Sequence, residues 1–205
     1  MPLVTKISPQ KKPNRVNVYL DNKFGFGIDL DNLVIEGIKL NQELTEEQIE
    51  QTLRKAEFQL TYEKLLRFAM TRPRSIREIN DWFRRKQIHE SMHEGLLEKL
   101  NHLELVGDEK FARWWIDQRN TFKPRSKKLL KLELLQKGVD RNTIEEILMD
   151  EKTDEVAIAY QLAQKKKSLI EKLPDEAAKA KLIGFLARKG FDWETIDAVL
   201  SKMVK

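Results

Sequence analysis

The sequence predicts a mainly α protein built from tandem three-helix repeats that form an elongated curved array, with a small β-hairpin element at the N-terminus. Three observations predict it. Charged residues make up 35% of 205 residues against 8 Gly and 6 Pro, a balance that suits solvated helices better than a turn-rich sandwich. Pro73-Arg74-Ser75 recurs as Pro124-Arg125-Ser126, 51 residues on. At that offset, and again 52 residues later, apolar positions coincide: Ile79, Leu130 and Leu182; Phe83, Leu134 and Leu186; Ile88, Val139 and Phe191.

Taken in chain order, Met1 to Arg15 is polar and lacks the apolar stretch of a signal peptide, and no run is long enough to span a bilayer. A cytoplasmic chain with no membrane contact is expected. From Arg15 to Ile28 apolar residues alternate, with Val16, Val18 and Leu20 before Asp21-Asn22-Lys23 and Phe24, Phe26 and Ile28 after it, the pattern of a half-buried hairpin. Leu30 to Leu44 carries no clear period. Thr45 and Gln48 then form a capping-box pair opening a helix expected to end near Phe58. The division that follows is 1–57 for the hairpin and helix, then repeats at 58–106, 107–152 and 153–205.

Within each repeat the i, i+4 pairs Ile79/Phe83, Leu130/Leu134 and Leu182/Leu186 place one apolar stripe on a helix. Lys137-Gly138-Val139 returns as Lys189-Gly190-Phe191, and Asp140 and Asp192 follow where the next helix needs an N-cap. Three short helices per repeat result. Each apolar face needs a neighbour to cover it, which produces an array with an extended surface suited to binding. The hairpin is expected to cap one end of that array.

Several chemistries fall away. With no Cys, disulfides, thiolate metal sites and thiol nucleophiles are excluded, and the composition suits a reducing compartment. His89-Glu90-Ser91-Met92-His93 matches H-E-x-x-H, in which two His one helical turn apart hold zinc. The repeat register opposes that reading, because His89 aligns with the caps Asp140 and Asp192 while His93 aligns with Ile144 and Ile196 on a core stripe. His102 reads as a surface residue. Gly25 and Gly27 sit inside the hairpin without the helix that a dinucleotide site requires, and no G-x-S-x-G elbow occurs. No enzyme, metal or cofactor is expected.

Binding motifs remain. Net charge is +5, which permits a polyanion or an acidic protein surface as partner. Arg119, Lys123, Arg125, Lys127, Lys128 and Lys131 lie in a stretch with no acid between Asp117 and Glu133. They form either a patch for phosphate or an acidic groove, or a solvated helix start. Arg72, Arg74 and Arg77 occupy the corresponding loop of the first repeat, with Arg84, Arg85 and Lys86 at the end of its second helix. Lys165-Lys166-Lys167 reads as the basic end of the first helix of the third repeat. Phe111 and Trp115 share a helix face, Trp114 points elsewhere beside Arg113, and Trp82 and Trp193 are expected in the core.

Gly107-Asp108-Glu109-Lys110-Phe111-Ala112-Arg113, then Arg119, Pro124-Arg125-Ser126 and Leu134-Leu135-Gln136-Lys137-Gly138-Val139, resembles the central signature of the RecX family. The likeness covers about Phe58 to Lys205, and the N-terminal hairpin and helix look like the extension of longer members. The chain departs from the family pattern at Leu105-Val106-Gly107, where an aromatic residue is common, and at Lys86-Gln87-Ile88, where later repeats have Lys-Gly. What the resemblance implies is a non-enzymatic, monomeric modulator that docks in the groove of the RecA recombinase filament on single-stranded DNA. It would lower ATP hydrolysis, filament growth and strand exchange. Arg72, Arg74, Arg77, Arg113, Arg119, Lys123, Arg125, Lys127, Lys128 and Lys131 are the expected contacts to partner or DNA. Reversing charge at Lys127 and Lys128 is expected to weaken inhibition without lowering the melting temperature. A helical-repeat protein acting by direct DNA binding is the alternative.

Overall fold

The predicted hairpin is present and belongs to a three-stranded antiparallel sheet, β1 (Val4–Pro9), β2 (Arg15–Leu20) and β3 (Lys23–Asp29), in that spatial order. The computed structural model describes residues 1–151 and 154–203. β2 turns into β3 at Asp21-Asn22, with φ of 47° and 64°, the left-handed pair a two-residue hairpin loop requires. Val16, Val18, Phe26 and Ile28 are buried as the alternation demands. Past Val18 the register shifts, so Val18 pairs with Phe26 but Tyr19 pairs with Phe24, leaving Gly25 as the extra residue. That bulge turns Phe24 to the opposite face, where it is 63% exposed and meets Tyr19 edge-on.

β1 arises within the segment that reads as a polar terminus. Of its residues only Val4 is buried, too little periodicity to signal a strand. Backbone bonds from Val4 N to the Gln42 carbonyl and from Asn41 N to the Val4 carbonyl, both 2.8 Å, hold it in place. The ambiguous stretch forms the short α1 (Leu30–Ile35), capped by Asp29, before Ile38 and Leu44 enter the core under the sheet.

α2 (Glu46–Ala69) opens with the expected capping box, Gln48 N donating to Thr45 Oγ1 at 3.1 Å and Thr45 N to Gln48 Oε1 at 2.9 Å. It does not end near Phe58 but runs to Ala69, across the division drawn at 57/58. No Gly or Pro interrupts 46–72, and Pro73 then disfavours helix in the residue before it. By contacts the chain forms two compact units, Met1–Phe68 with Ile88–Leu96, and Ala69–Gln87 with Leu97–Lys205. In the first, Gly95 lies so close to the Phe58 ring that a Cβ there would be 3.3 Å from it.

The remaining helices are α3 (Ile76–Lys86), α4 (His93–His102), α5 (Asp108–Phe122), α6 (Lys127–Gln136), α7 (Arg141–Asp150), α8 (Glu155–Gln164), α9 (Lys167–Ile170), α10 (Asp175–Arg188) and α11 (Trp193–Met203). The apolar stripe is buried in every copy: Ile79 and Phe83, Leu130 and Leu134, Leu182 and Leu186. α5, α6 and α7 close over Phe111, Leu130, Leu134, Val139, Ile144 and Ile147, while α8, α10 and α11 close over Ala159, Leu162, Leu182, Leu186, Ile196 and Val199. Burying each of the Phe, Leu, Ile and Val side chains among them stabilises by about 1.5–3 kcal/mol. Gly138 and Gly190 end α6 and α10 at φ of 85° and 88°, and Asp140 and Asp192 cap the helices that follow.

Two expectations need correcting. Lys165 and Lys166 lie beyond the end of α8 and Lys167 opens the extra helix α9, so among the described residues of the third repeat there are four helices and the lysines do not sit in the first. Trp193 is 62% exposed rather than core. It follows the Asp192 cap, and its register partners Glu90 and Arg141 are exposed as well. Trp82 is buried as expected. The repeat boundary at 152/153 lies outside the described residues.

Candidate interaction surface

The recurring Pro-Arg-Ser and Lys-Gly motifs meet each other. Ser75 caps α3, and its Oγ donates to the Lys137 carbonyl of the second repeat at 2.8 Å. Ser126 caps α6, and its Oγ donates to the Gly190 carbonyl of the third at 2.7 Å. Each hydroxyl also accepts a helix N–H at 3.2 Å, from Glu78 and Leu129. The next residue's N–H is received by a carboxylate in the first turn of the following repeat, Ile76 N by Asp108 at 2.9 Å and Lys127 N by Glu155 at 2.8 Å. Burial pushes the Asp108 carboxyl above its ordinary range, with the Ile76 N–H opposing and Asp140 reinforcing. The glycines are required by space as well as by φ. A Cβ on Gly138 would lie 2.5 Å from Arg77 Cβ, and one on Gly190 would lie 2.5 Å from Ser126 Oγ. Gln87, at the same place in the first repeat, is exposed and carries a side chain at φ 53°.

This latch sorts the ten cations. Arg72 grips Glu78 through both guanidinium ends, at 2.7 and 2.9 Å, and lies over the Trp114 ring at 5.1 Å. Lys137 reaches the same Glu78 at 3.1 Å and sits 5.1 Å over Trp115. The pairing outweighs burial and holds the Glu78 carboxyl below its ordinary value. Arg74 is buried and donates to Thr71 Oγ1 at 2.7 Å. Arg119 donates to Glu133 at 2.7 Å from above the Trp115 ring, Trp115 Nε1 donates to that carboxylate at 2.8 Å, and Arg125 makes a short ion pair with it. Lys131 pairs with Glu145. Lys127 Nζ donates to the carbonyls of Leu148 and Glu151, at 2.9 and 2.7 Å, which end α7. Charge reversal at Lys127 therefore costs stability as well as any binding, unlike at the exposed Lys128.

Arg77, Arg113, Lys123 and Lys128 are exposed. Arg113 is drawn partly toward Glu109 and Asp150, at 3.0 and 3.7 Å. Trp114 and Trp115 are both half-buried against the core of the second repeat, so neither stands free. The sequence reading gives no binding role to Glu78, Glu133 and Lys137, which join the cations, or to Lys166 and Lys189, which flank Phe185. Only the Lys-Gly repeat hinted at Lys137 and Lys189.

The H-E-x-x-H string straddles a helix start. His89 caps the 3-10 turn Glu90–Met92, with Nδ1 accepting from Ser91 N, while His93 opens α4 and donates from Nε2 to the Ile88 carbonyl at 3.0 Å. The two rings thus do not share successive turns of one helix. Among the described residues no cluster of three metal-capable side chains occurs, and no helix is long and apolar enough to cross a membrane.

Helical repeats latched in tandem by serine hydroxyls bonded to the Lys-Gly segment of the next repeat define a helical-repeat protein. The chain matches the family models "Regulatory protein RecX N-terminal domain" over residues 2–45, "RecX, second three-helix domain" over 108–148 and "RecX, third three-helix domain" over 153–200. It is 31% identical to regulatory protein RecX of Bacillus pumilus over 98% of this chain and 78% of that protein. The corresponding figures for Clostridium perfringens RecX are 30%, 98% and 95%. The chain belongs to the RecX family. A crystal structure of a regulatory protein RecX shares the fold at TM-score 0.72 with 23% identity, covering 98% of this chain and all of that one. RecX from Lactobacillus salivarius superposes at TM-score 0.61 with 26% identity over 71% of this chain and 95% of its own.

Proposed function

We propose that this chain binds in the groove of the RecA filament on single-stranded DNA and modulates it, mostly by inhibition of ATP hydrolysis, filament growth and strand exchange. It acts as a cytoplasmic monomer with no catalysis of its own. The observation that carries this reading is the match to RecX proteins over almost the whole chain. The working segments are 1–57, 58–106, 107–152 and 153–205. Arg77, Arg113, Lys123 and Lys128 make the direct contacts, while Arg72, Arg74, Arg119, Arg125, Lys127 and Lys131 contribute through the field they set up and the shape they hold.

The test is ATP hydrolysis by RecA on single-stranded DNA, titrated with this protein at two salt concentrations, beside DNA binding by this protein alone. Inhibition at levels too low to coat the DNA is expected. Inhibition only where the protein saturates bare DNA would point instead to a nucleic-acid-binding protein for which RecA is incidental. Lys128→Glu with Arg77→Glu is expected to raise the concentration needed for inhibition while leaving the melting temperature unchanged.

A further inference from the structure

At the joint of the second and third repeats, Lys123, Lys166 and Lys189 converge with no carboxylate paired to them among the described residues, while the neighbouring Arg125 is held by Glu133. Lys166 Nζ lies 5.4 Å from the centre of the Phe185 ring and Lys189 Nζ 5.8 Å from the same centre, so two ammonium groups share one ring. Ser126 N donates to the Lys189 carbonyl at 3.1 Å, which ties the peptide that follows Arg125 to this place. Burial lowers the Lys189 pKa, and the neighbouring charges that lower it further are Arg125, Lys123 and Lys166, all positive. A dent of about 140 Å³ beside the ring is rimmed by Lys166, Lys181 and Arg188. Like charges gathered in this way repel by about 1 kcal/mol per pair at 4 Å even in water, a cost that a bound anion removes.

The kind of anion follows from a second feature. Phe122, at the end of α5 and directly before Lys123, is 72% exposed. An apolar ring held in water next to cations suits a ligand that carries both negative charge and flat faces. A run of Asp and Glu lacks the faces, and duplex DNA stacks its own away. Single-stranded nucleic acid offers phosphates and unpaired bases together.

We propose that the joint between the second and third repeats is a phosphate-binding site for single-stranded nucleic acid, with Lys123, Lys166 and Lys189 facing the backbone and Phe122 stacking on a base. This deepens the DNA-contact part of the function proposed above. It needs no recombinase, so it stands or falls separately from filament inhibition.

The experiment is fluorescence anisotropy of a labelled oligodeoxythymidylate with the full chain and no RecA, across a salt series. Lys123→Gln with Lys166→Gln is expected to weaken binding about tenfold and to flatten the slope of log affinity against log salt by about 1.4, since each single-strand phosphate contributes about 0.7. Phe122→Ala is expected to weaken binding about tenfold with the slope unchanged, because stacking releases no counterions. Lys179→Gln with Lys202→Gln makes the same charge change at exposed lysines elsewhere in the third repeat and should leave affinity as it was. Equal losses in both lysine pairs would reduce the effect to net charge and overturn the site. So would unmodified binding by the Lys123/Lys166 variant, or displacement of the oligonucleotide by polyglutamate as readily as by unlabelled thymidylate, which would indicate an acidic protein partner.

Discussion

At the joint between the first and second repeats, Glu78 takes Arg72 and Lys137, Lys137 lies over Trp115, and Trp115 with Arg119 and Arg125 surrounds Glu133. At the joint between the second and third, Lys189 lies by Phe185 with Lys166, added by the unexpected turn before α9, on the same ring, and Lys123 is among the positive charges acting on Lys189. The latch beneath is the same in both, a serine hydroxyl bonded to the carbonyl of a Lys-Gly pair. Backbone geometry therefore repeats while side-chain charge does not. One joint pairs its cations with internal acids; at the other, Lys123, Lys166 and Lys189 have no carboxylate paired to them among the described residues.

Breaking the shared latch should have the largest effect. Gly190→Ala puts a Cβ against Ser126 Oγ and Leu129 Cβ on backbone with φ of 88°, and is expected to cost about 3 kcal/mol in urea unfolding. Gln87→Gly, at the same place in the first repeat, should be neutral or stabilise by up to about 1 kcal/mol, since its left-handed φ of 53° already suits glycine. Next comes the seam peculiar to the first joint. Glu133→Ala strips three donors of a largely buried acceptor and should cost about 2 kcal/mol, discounted for the partial exposure of Arg119 and Arg125.

Ser75→Ala and Ser126→Ala each remove one cap and one bond between repeats. Losses of about 1.5 kcal/mol, equal within error by thermal melting, are expected for the pair. Unequal losses would mean that the seams, not the latch, set the strength of each joint. The smallest effect is a pH dependence. Glu78 is held below its ordinary value of 4.5, so its stabilisation is present above that value and is lost as pH falls through its lower, folded value. Stability measured across this acid range should fall less steeply in Glu78→Gln, whereas no such change is expected from Lys166→Gln at the other joint.

Where sequence and structure part company, the distance between partners accounts for it. Phe24 reads as core by alternation, but a bulge created by its pairing with Tyr19 turns it outward. Trp193 reads as core by hydrophobicity although its register partners were already polar. The stretch from Arg119 to Lys131 reads as a continuous positive field, yet Glu133, two positions past its end, folds back onto Arg119 and Arg125. The HExxH string, by contrast, was correctly separated by register, because capping depends on neighbours only two or three residues away.

The sequence by itself determined the repeat, its buried stripe and its caps, because helical periodicity and N-cap chemistry are satisfied within a few consecutive residues. Only the tertiary structure decided which cations are committed and which are available. Glu78 meets Lys137 across 59 residues and Ser126 meets Gly190 across 64, so the contacts that neutralise or gather charge exist only once separate repeats have docked.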